Sequence, residues 1–142
     1  MAEEQRKYPS SPIIGVGAVI FRKDEVLLVR RGKPPLYGRW SLPGGVVHPE
    51  EDMKSALKRE VREECGIDVE VFDLIDIFEY IEKDEENRVK YHYIVFDFRA
   101  EPGGGYLKPA SDILEARWVP LSKLEGYGLT DKVIEVINKG KR

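Results

Sequence analysis

Hydrophobic and polar positions along the 142-residue chain fall into short blocks of different period. Residues 13–21 and 26–29 are β-rich runs, and the charged turn Arg22-Lys23-Asp24-Glu25 between them predicts a hairpin. Residues 30–42 keep neither a helical nor a strand period. Pro34-Pro35 and Gly38 there predict a loop leading to a short strand around Trp40, which the Pro43-Gly44-Gly45 turn stops. Helix formers then run over residues 51–65 without an internal glycine or proline, and Gly66 stands where helices are usually terminated. Residues 69–81 and 89–100 predict an antiparallel hairpin across the charged segment 82–88, with Pro102-Gly103-Gly104-Gly105 ending its second strand. A short strand near Arg117-Trp118-Val119 leads through Pro120 to a helical turn. Residues 131–138 predict a closing helix with Val133, Ile134 and Ile137 on one face.

Composition narrows the class. At this length one compact domain is expected over residues 11–142, after a polar, frayed N-terminal stretch of residues 1–10. With 23 basic against 26 acidic side chains, a net charge of −3 and no long basic run, constitutive nucleic-acid binding is not expected. No apolar stretch approaches the ~20 residues that cross a bilayer, and residues 1–8 are too polar for a secretion signal, so no membrane association is expected and the cytoplasm is the expected location. The single cysteine, Cys65, leaves no internal disulfide and too few thiolates for a zinc or iron–sulfur cage.

The helix over residues 51–65 carries acid where core should be. At 100° per residue, Met53, Ala56, Leu57, Val61 and Cys65 form its apolar stripe, while Ser55, Lys58 and Arg62 lie opposite. Glu60 and Glu64 fall inside the stripe, and Glu63 sits at its edge. Such a cluster reads either as a solvated charged face or as a divalent-cation site. Like charges at i,i+4 repel, more strongly in low dielectric, so the second reading gains weight. Three oxygen donors with no His beside them and a single cysteine in the chain suit Mg²⁺ or Mn²⁺ better than zinc, and Mg²⁺ completes its shell with water and substrate phosphates.

The spacing Gly45, five residues, Glu51, seven residues, Arg59-Glu60-Val61-Arg62-Glu63-Glu64-Cys65-Gly66-Ile67 resembles the Nudix box. Its flanks are similar too: Gly15-Val16-Gly17-Ala18-Val19-Ile20, Leu27-Leu28-Val29-Arg30-Arg31, Gly38 through Gly45, and Glu115-Ala116-Arg117-Trp118. The resemblance implies an α/β (α+β) Nudix fold, an α/β/α sandwich with a mixed β-sheet. It also implies an enzyme, a Nudix pyrophosphohydrolase cleaving a nucleoside diphosphate linked to another group. Carried over by position, Glu60, Glu63 and Glu64 resemble the family's metal ligands, with the Gly44 carbonyl as backbone ligand and Mg²⁺, or Mn²⁺, as cofactor. Glu51 and Arg59 resemble the pair that braces the loop against the helix. His48 and Glu50 depart from the acidic residue and glycine that many relatives carry there.

Asp112 is the first candidate for an extra acidic ligand or base from a distant loop, against an ordinary turn role. Arg30, Arg31 and Arg39, together with Lys33, surround the loop before the box and are candidates for phosphate contacts. Phe78, Tyr80, Tyr91, Tyr93, Trp40 and Trp118 read as packing aromatics, among which one could stack on a base. The chain most resembles the compact ADP-ribose pyrophosphatases, which implies AMP and ribose 5-phosphate as products. The proline found about fifteen residues beyond the box in one ADP-ribose group is absent from Tyr80-Ile81-Glu82-Lys83. Nucleoside triphosphates, oxidised ones included, and dinucleoside polyphosphates are the alternative substrates, and a non-catalytic nucleotide-sensing module is the alternative of another class. The implied partner is a nucleotide-derived small molecule, and a homodimer is common in the family.

Overall fold

The computed structural model describes residues 6–141. Among the described residues, seven strands, two α-helices and a 3₁₀ segment follow in the order β1 (Ile13–Arg22), β2 (Glu25–Arg31), β3 (Trp40–Ser41), β4 (Gly44–Val46), α1 (Met53–Cys65), β5 (Ile67–Lys83), β6 (Val89–Gly105), β7 (Ile113–Pro120), the 3₁₀ segment Leu121–Tyr127 and α2 (Asp131–Gly140). The expected β1–β2 hairpin exists only at its tip, where Phe21 faces Val26 and Arg22 faces Glu25. The two strands then diverge. β1 pairs in parallel with β6 from Ile13↔Tyr93 to Ile20↔Ala100 and antiparallel with β4, while β2 pairs antiparallel with β7 and β3. The sheet is therefore mixed, as expected, and opens between β1 and β2.

Alternation along β1 explains the two-sided core. Val16, Ala18 and Ile20 join Leu27, Val29, Phe98 and Ala100 against Ala56, Leu57, Val61 and Cys65 of α1. Val19 faces the other way, with Val26, Leu28, Val119 and Leu124 against Val136 and Ile137 of α2. The sheet thus lies between helical layers, each covering one apolar face.

Both helices have defined ends. Asp52 caps α1 by accepting from the Ser55 N–H at 2.8 Å, which starts the helix two residues after the expected Glu51. Gly66, at φ 75°, donates back to the Arg62 carbonyl, and the Lys108 and Ala110 N–H groups donate to the carbonyls of Cys65 and Glu64. Thr130 caps α2 by accepting from Val133 N–H.

The β5–β6 hairpin is longer than its hydrophobic runs. β6 continues to Gly105 instead of stopping at Pro102, with Val69 facing Pro102 and Ile67 facing Gly105 across a register shift. Past Ala100 the strand has left β1 and pairs with β5, so a proline without an N–H is tolerated at this irregular end. Of the N-terminal stretch, residues 1–5 lie outside the described residues. Tyr8 donates from its N–H to the Lys90 carbonyl at 2.8 Å and from its hydroxyl to Asp84 at 2.9 Å, at the far end of this hairpin.

Candidate active site

Where β1 and β2 part, a cavity of about 530 Å³ opens between the sheet and the start of α2. Glu60 and Glu64 of α1 line it beside Gly44, Gly45 and Val46 of β4. The Gly44 N–H donates to Glu64 at 3.1 Å. A Cβ on Gly45 would sit 2.2 Å from the Glu60 carboxyl carbon, so glycine there is what lets the carboxylate approach the strand. Burial and the neighbouring Glu60 charge push the Glu64 carboxyl up to about 8, against the Gly44 hydrogen bond and the positive charges of Arg31 and Lys33.

Arg59 braces this arrangement. Its guanidinium donates to both Glu51 oxygens, at 2.7 and 2.9 Å, to Glu60 at 2.7 Å and to the Val46 carbonyl at 3.0 Å. The fork ties the loop before α1 to the helix and to β4 in one planar contact that a lysine could not make. It holds the Glu51 carboxyl down at about 2, helped by the His48 N–H.

The acidic triad does not converge. Glu60 keeps 14% of its side-chain surface exposed and Glu63 51%; both accept from the same Arg59 nitrogen, at 2.7 and 3.3 Å, but Glu63 lies outside the cavity lining. Among the described residues no three His, Cys, Asp or Glu side chains gather in a way that could hold a metal ion by themselves. Two carboxylates beside a backbone turn are still a donor set that suits a hard divalent cation, which needs only one or two carboxylates when water and phosphates complete its shell.

The other sequence candidates divide. Arg31, Lys33 and Arg39 line the cavity, Arg31 donating to the Pro35 carbonyl and Arg39 to the Gly128 carbonyl. Arg30 does not line it, donating to the Gly38 carbonyl at 3.0 Å and lying 3.5 Å from Glu115. Asp112 is also outside the lining, in an ion pair with Lys33 at 2.8 Å. His48 is exposed. The aromatics split between two roles: Tyr91 is buried and Trp118 packs part-buried against the core, but Trp40, Phe78, Tyr80 and Tyr93 line the cavity. Sequence reasoning missed Arg6, Asp97, Thr130 and Lys132, which also line it. An aspartate in the middle of the apolar run Ile94-Val95-Phe96-Asp97-Phe98 is the signal that could have exposed Asp97.

The NUDIX domain family model matches residues 11–137. The chain belongs to the Nudix family. Its Nudix box contributes the β4 turn, α1 and the Glu51–Arg59 brace just described. The 8-oxo-dGDP phosphatase NUDT18 of Danio rerio is 41% identical over 108 residues, covering 72% of this chain and 30% of that protein. An ADP-ribose pyrophosphatase of Methanocaldococcus jannaschii is 31% identical over 113 residues, covering 80% of this chain and 64% of the relative. The chain thus spans from about a third to just under two thirds of these curated relatives. A MutT Nudix hydrolase structure from Burkholderia pseudomallei superposes with a TM-score of 0.80 at 27% identity, over 93% of this chain and 100% of that one. The architecture is the Nudix fold.

Proposed function

We propose that this chain is a metal-dependent pyrophosphohydrolase that cleaves a nucleoside diphosphate linked to another group, with ADP-ribose, giving AMP and ribose 5-phosphate, as its substrate. The observation that carries the reading is the pairing of Glu60 and Glu64 beside the Gly44-Gly45 turn in a cavity that also presents Arg31, Lys33 and Arg39 and the rings of Trp40, Phe78, Tyr80 and Tyr93. Glu60, Glu64 and the Gly44 carbonyl would hold the cation, Mg²⁺ or Mn²⁺, with Glu63 joining when it leaves Arg59. Such a cation neutralises phosphate charge and makes water a nucleophile near neutral pH.

The chain's own residues then do the positioning. Arg59 and Glu51 fix the α1 carboxylates relative to β4, and Gly45 leaves room for Glu60. Arg31, Lys33 and Arg39 meet the phosphate charge that the carboxylate end repels, and Asp112 orients Lys33 through their ion pair. Phe78, Tyr80, Tyr93 and Trp40 offer flat apolar surface for a base or a sugar. The outer strand β5 exposes Leu74, Ile77 and Ile81, the surface a homodimer would use. No described helix is long and apolar enough to cross a membrane.

ADP-ribose is supported by the name of the archaeal relative. The fish relative, at higher identity over fewer residues, favours an oxidised nucleoside diphosphate as a second reading. Phosphate release coupled to a phosphatase, measured over ADP-ribose, other nucleoside diphosphate sugars, 8-oxo-dGDP, nucleoside triphosphates and diadenosine polyphosphates with Mg²⁺, decides between them. The highest kcat/KM is expected for ADP-ribose, and a higher value for 8-oxo-dGDP replaces the substrate assignment while keeping the reaction class.

A further inference from the structure

Asp97 sits at the middle of β6, flanked in register by Gly17 of β1 and Asp76 of β5, with 2% of its surface exposed. It lines the cavity, and the charges that act on it are those of Asp76 and of Lys132 on α2. Its carboxyl lies over Gly17, where a Cβ would come 2.2 Å from Oδ1, so the missing side chain makes the space the carboxyl occupies. Oδ2 is buried and has no hydrogen-bond partner among the described residues. Orphaned buried carboxyl oxygens are rare because each loses hydration without replacement, and they call for an explanation.

Neighbouring charges do not supply one. Lys132 lines the same cavity, but its Nζ is directed to Asp76 at 2.8 Å and Glu135 at 2.7 Å. Asp76 is in turn held by Lys132 and Lys139, and the Lys132 charge favours the ionised Asp97 without offsetting its burial. Burial first, and the Asp76 charge second, push the Asp97 carboxyl up to about 7, so it is present in both forms near neutrality, and each form can accept an N–H.

The surroundings define what could donate. Trp40, Leu42, Phe78 and Val133 line the cavity with apolar surface, two of them aromatic rings. Such walls suit a flat heterocycle that carries a polar edge. A phosphate is repelled by an acidic group. Asp97, Gly17 and Gly44 lie side by side on three successive strands, so Asp97 stands two strand spacings, about 10 Å, from the turn beside Glu64. That separation is on the scale of a nucleoside, with phosphates at the Glu60–Glu64 end and the base edge at the other.

We infer that Asp97 is a specificity-determining residue whose carboxyl accepts a hydrogen bond from the exocyclic amine of a nucleobase, so that the cavity selects amino-bearing bases. The inference rests on the pyrophosphohydrolase reading for its orientation of the nucleotide, and it deepens that reading by naming the base class. A base without the amine leaves Asp97 still unpaired, and a site with an unpaired buried polar group discriminates strongly against the ligand that leaves it so.

The test is calorimetric binding of AMP and of purine riboside 5′-monophosphate, the same nucleotide without its amine, to the wild-type protein, Asp97→Asn and Asp97→Leu. The wild type is expected to bind AMP about tenfold more tightly or better. Asp97→Asn keeps an acceptor oxygen and is expected to retain the preference, while Asp97→Leu brings the two affinities within about twofold. Equal affinities in the wild type, or a preference that survives in a folded Asp97→Leu, overturn the inference; if the leucine variant does not fold, the wild-type comparison decides alone. Since binding is read without turnover, a discriminating but inactive protein sustains the role of Asp97 and removes the hydrolase reading. An active protein blind to the amine does the reverse.

Discussion

Arg59 and Asp97 show two ways in which a single residue is held at odds with its solvent preference. Arg59 is satisfied by Glu51, Glu60 and the Val46 carbonyl, and the two carboxylates raise its pKa further, so it stays charged at any working pH. Asp97 has no such set, and its burial becomes a pH-dependent stability. The folded carboxyl titrates at about 7 against an ordinary 3.8, so the folded state holds a proton that the unfolded chain has lost between these values. Stability contributed by this residue is therefore intact in acid and declines as pH rises through that window, by about 2–4 kcal/mol in all. Asp76 has the opposite sign: Lys132 and Lys139 lower its pKa, and its contribution disappears only in strong acid. Thermal melting should then place Asp97→Asn level with the wild type at pH 4 and above it at pH 8. A difference that does not change with pH contradicts this account of the buried carboxyl.

At the scale of elements, the β4 turn and α1 act as one part, and the two glycines of the turn have separable roles. A Cβ on Gly44 would meet the Val16 carbonyl oxygen at 2.0 Å, a backbone clash that must open the β1–β4 pairing. A Cβ on Gly45 would meet the side chain of Glu60, which can swing away. Gly44→Ala is expected to lower stability by about 2 kcal/mol or more. Gly45→Ala should melt near the wild type yet lose about 100-fold or more in kcat, because the carboxylate is displaced. Chemical denaturation and initial rates on the two variants check this, and a stable, fully active Gly45→Ala contradicts the placement of Glu60.

Elements were also where the sequence was most readable. The α1 stripe of Ala56, Leu57, Val61 and Cys65, its stop at Gly66 and the intrusion of Glu60 and Glu64 follow from helical period alone. The runs in β1, β2, β5 and β6 were visible as strands, but their partners were not. Parallel pairing of β1 with β6 joins residues about eighty positions apart, and nothing local marks it. The extension of β6 through Pro102 was hidden because a proline and three glycines read as a stop, until the partner strand is known. Asp97 is marked in the sequence only as an acid within an apolar run; the glycine across the β1–β6 pair that makes room for its carboxyl is far away in the chain. Glu63 holds a box position where a ligand is expected, and which side chains it meets there was not legible: it pairs with Arg59 at 3.3 Å, outside the cavity lining.

For the molecule as a whole, the divergence of β1 and β2 is the event that makes a site possible. It separates the sheet enough to leave a cavity with acid at the α1 end, basic residues from the β2–β3 loop, and aromatic rings from β3, β5 and β6. The layers on either side are well packed, so the cavity is framed by rigid elements and its carboxylates are placed by strands and a capped helix. In the proposed reaction, Glu60 and Glu64 form the divalent-cation end of the cavity that receives the pyrophosphate. The measurement that tests it most directly is AMP formation from ADP-ribose by the wild-type protein and Glu64→Gln, each with Mg²⁺ and with excess chelator. Turnover by the wild type is expected to stop with chelator and return with Mg²⁺, and to fall by about 100-fold or more in Glu64→Gln at saturating metal. Turnover indifferent to chelator, or undiminished in a folded Glu64→Gln, would contradict it.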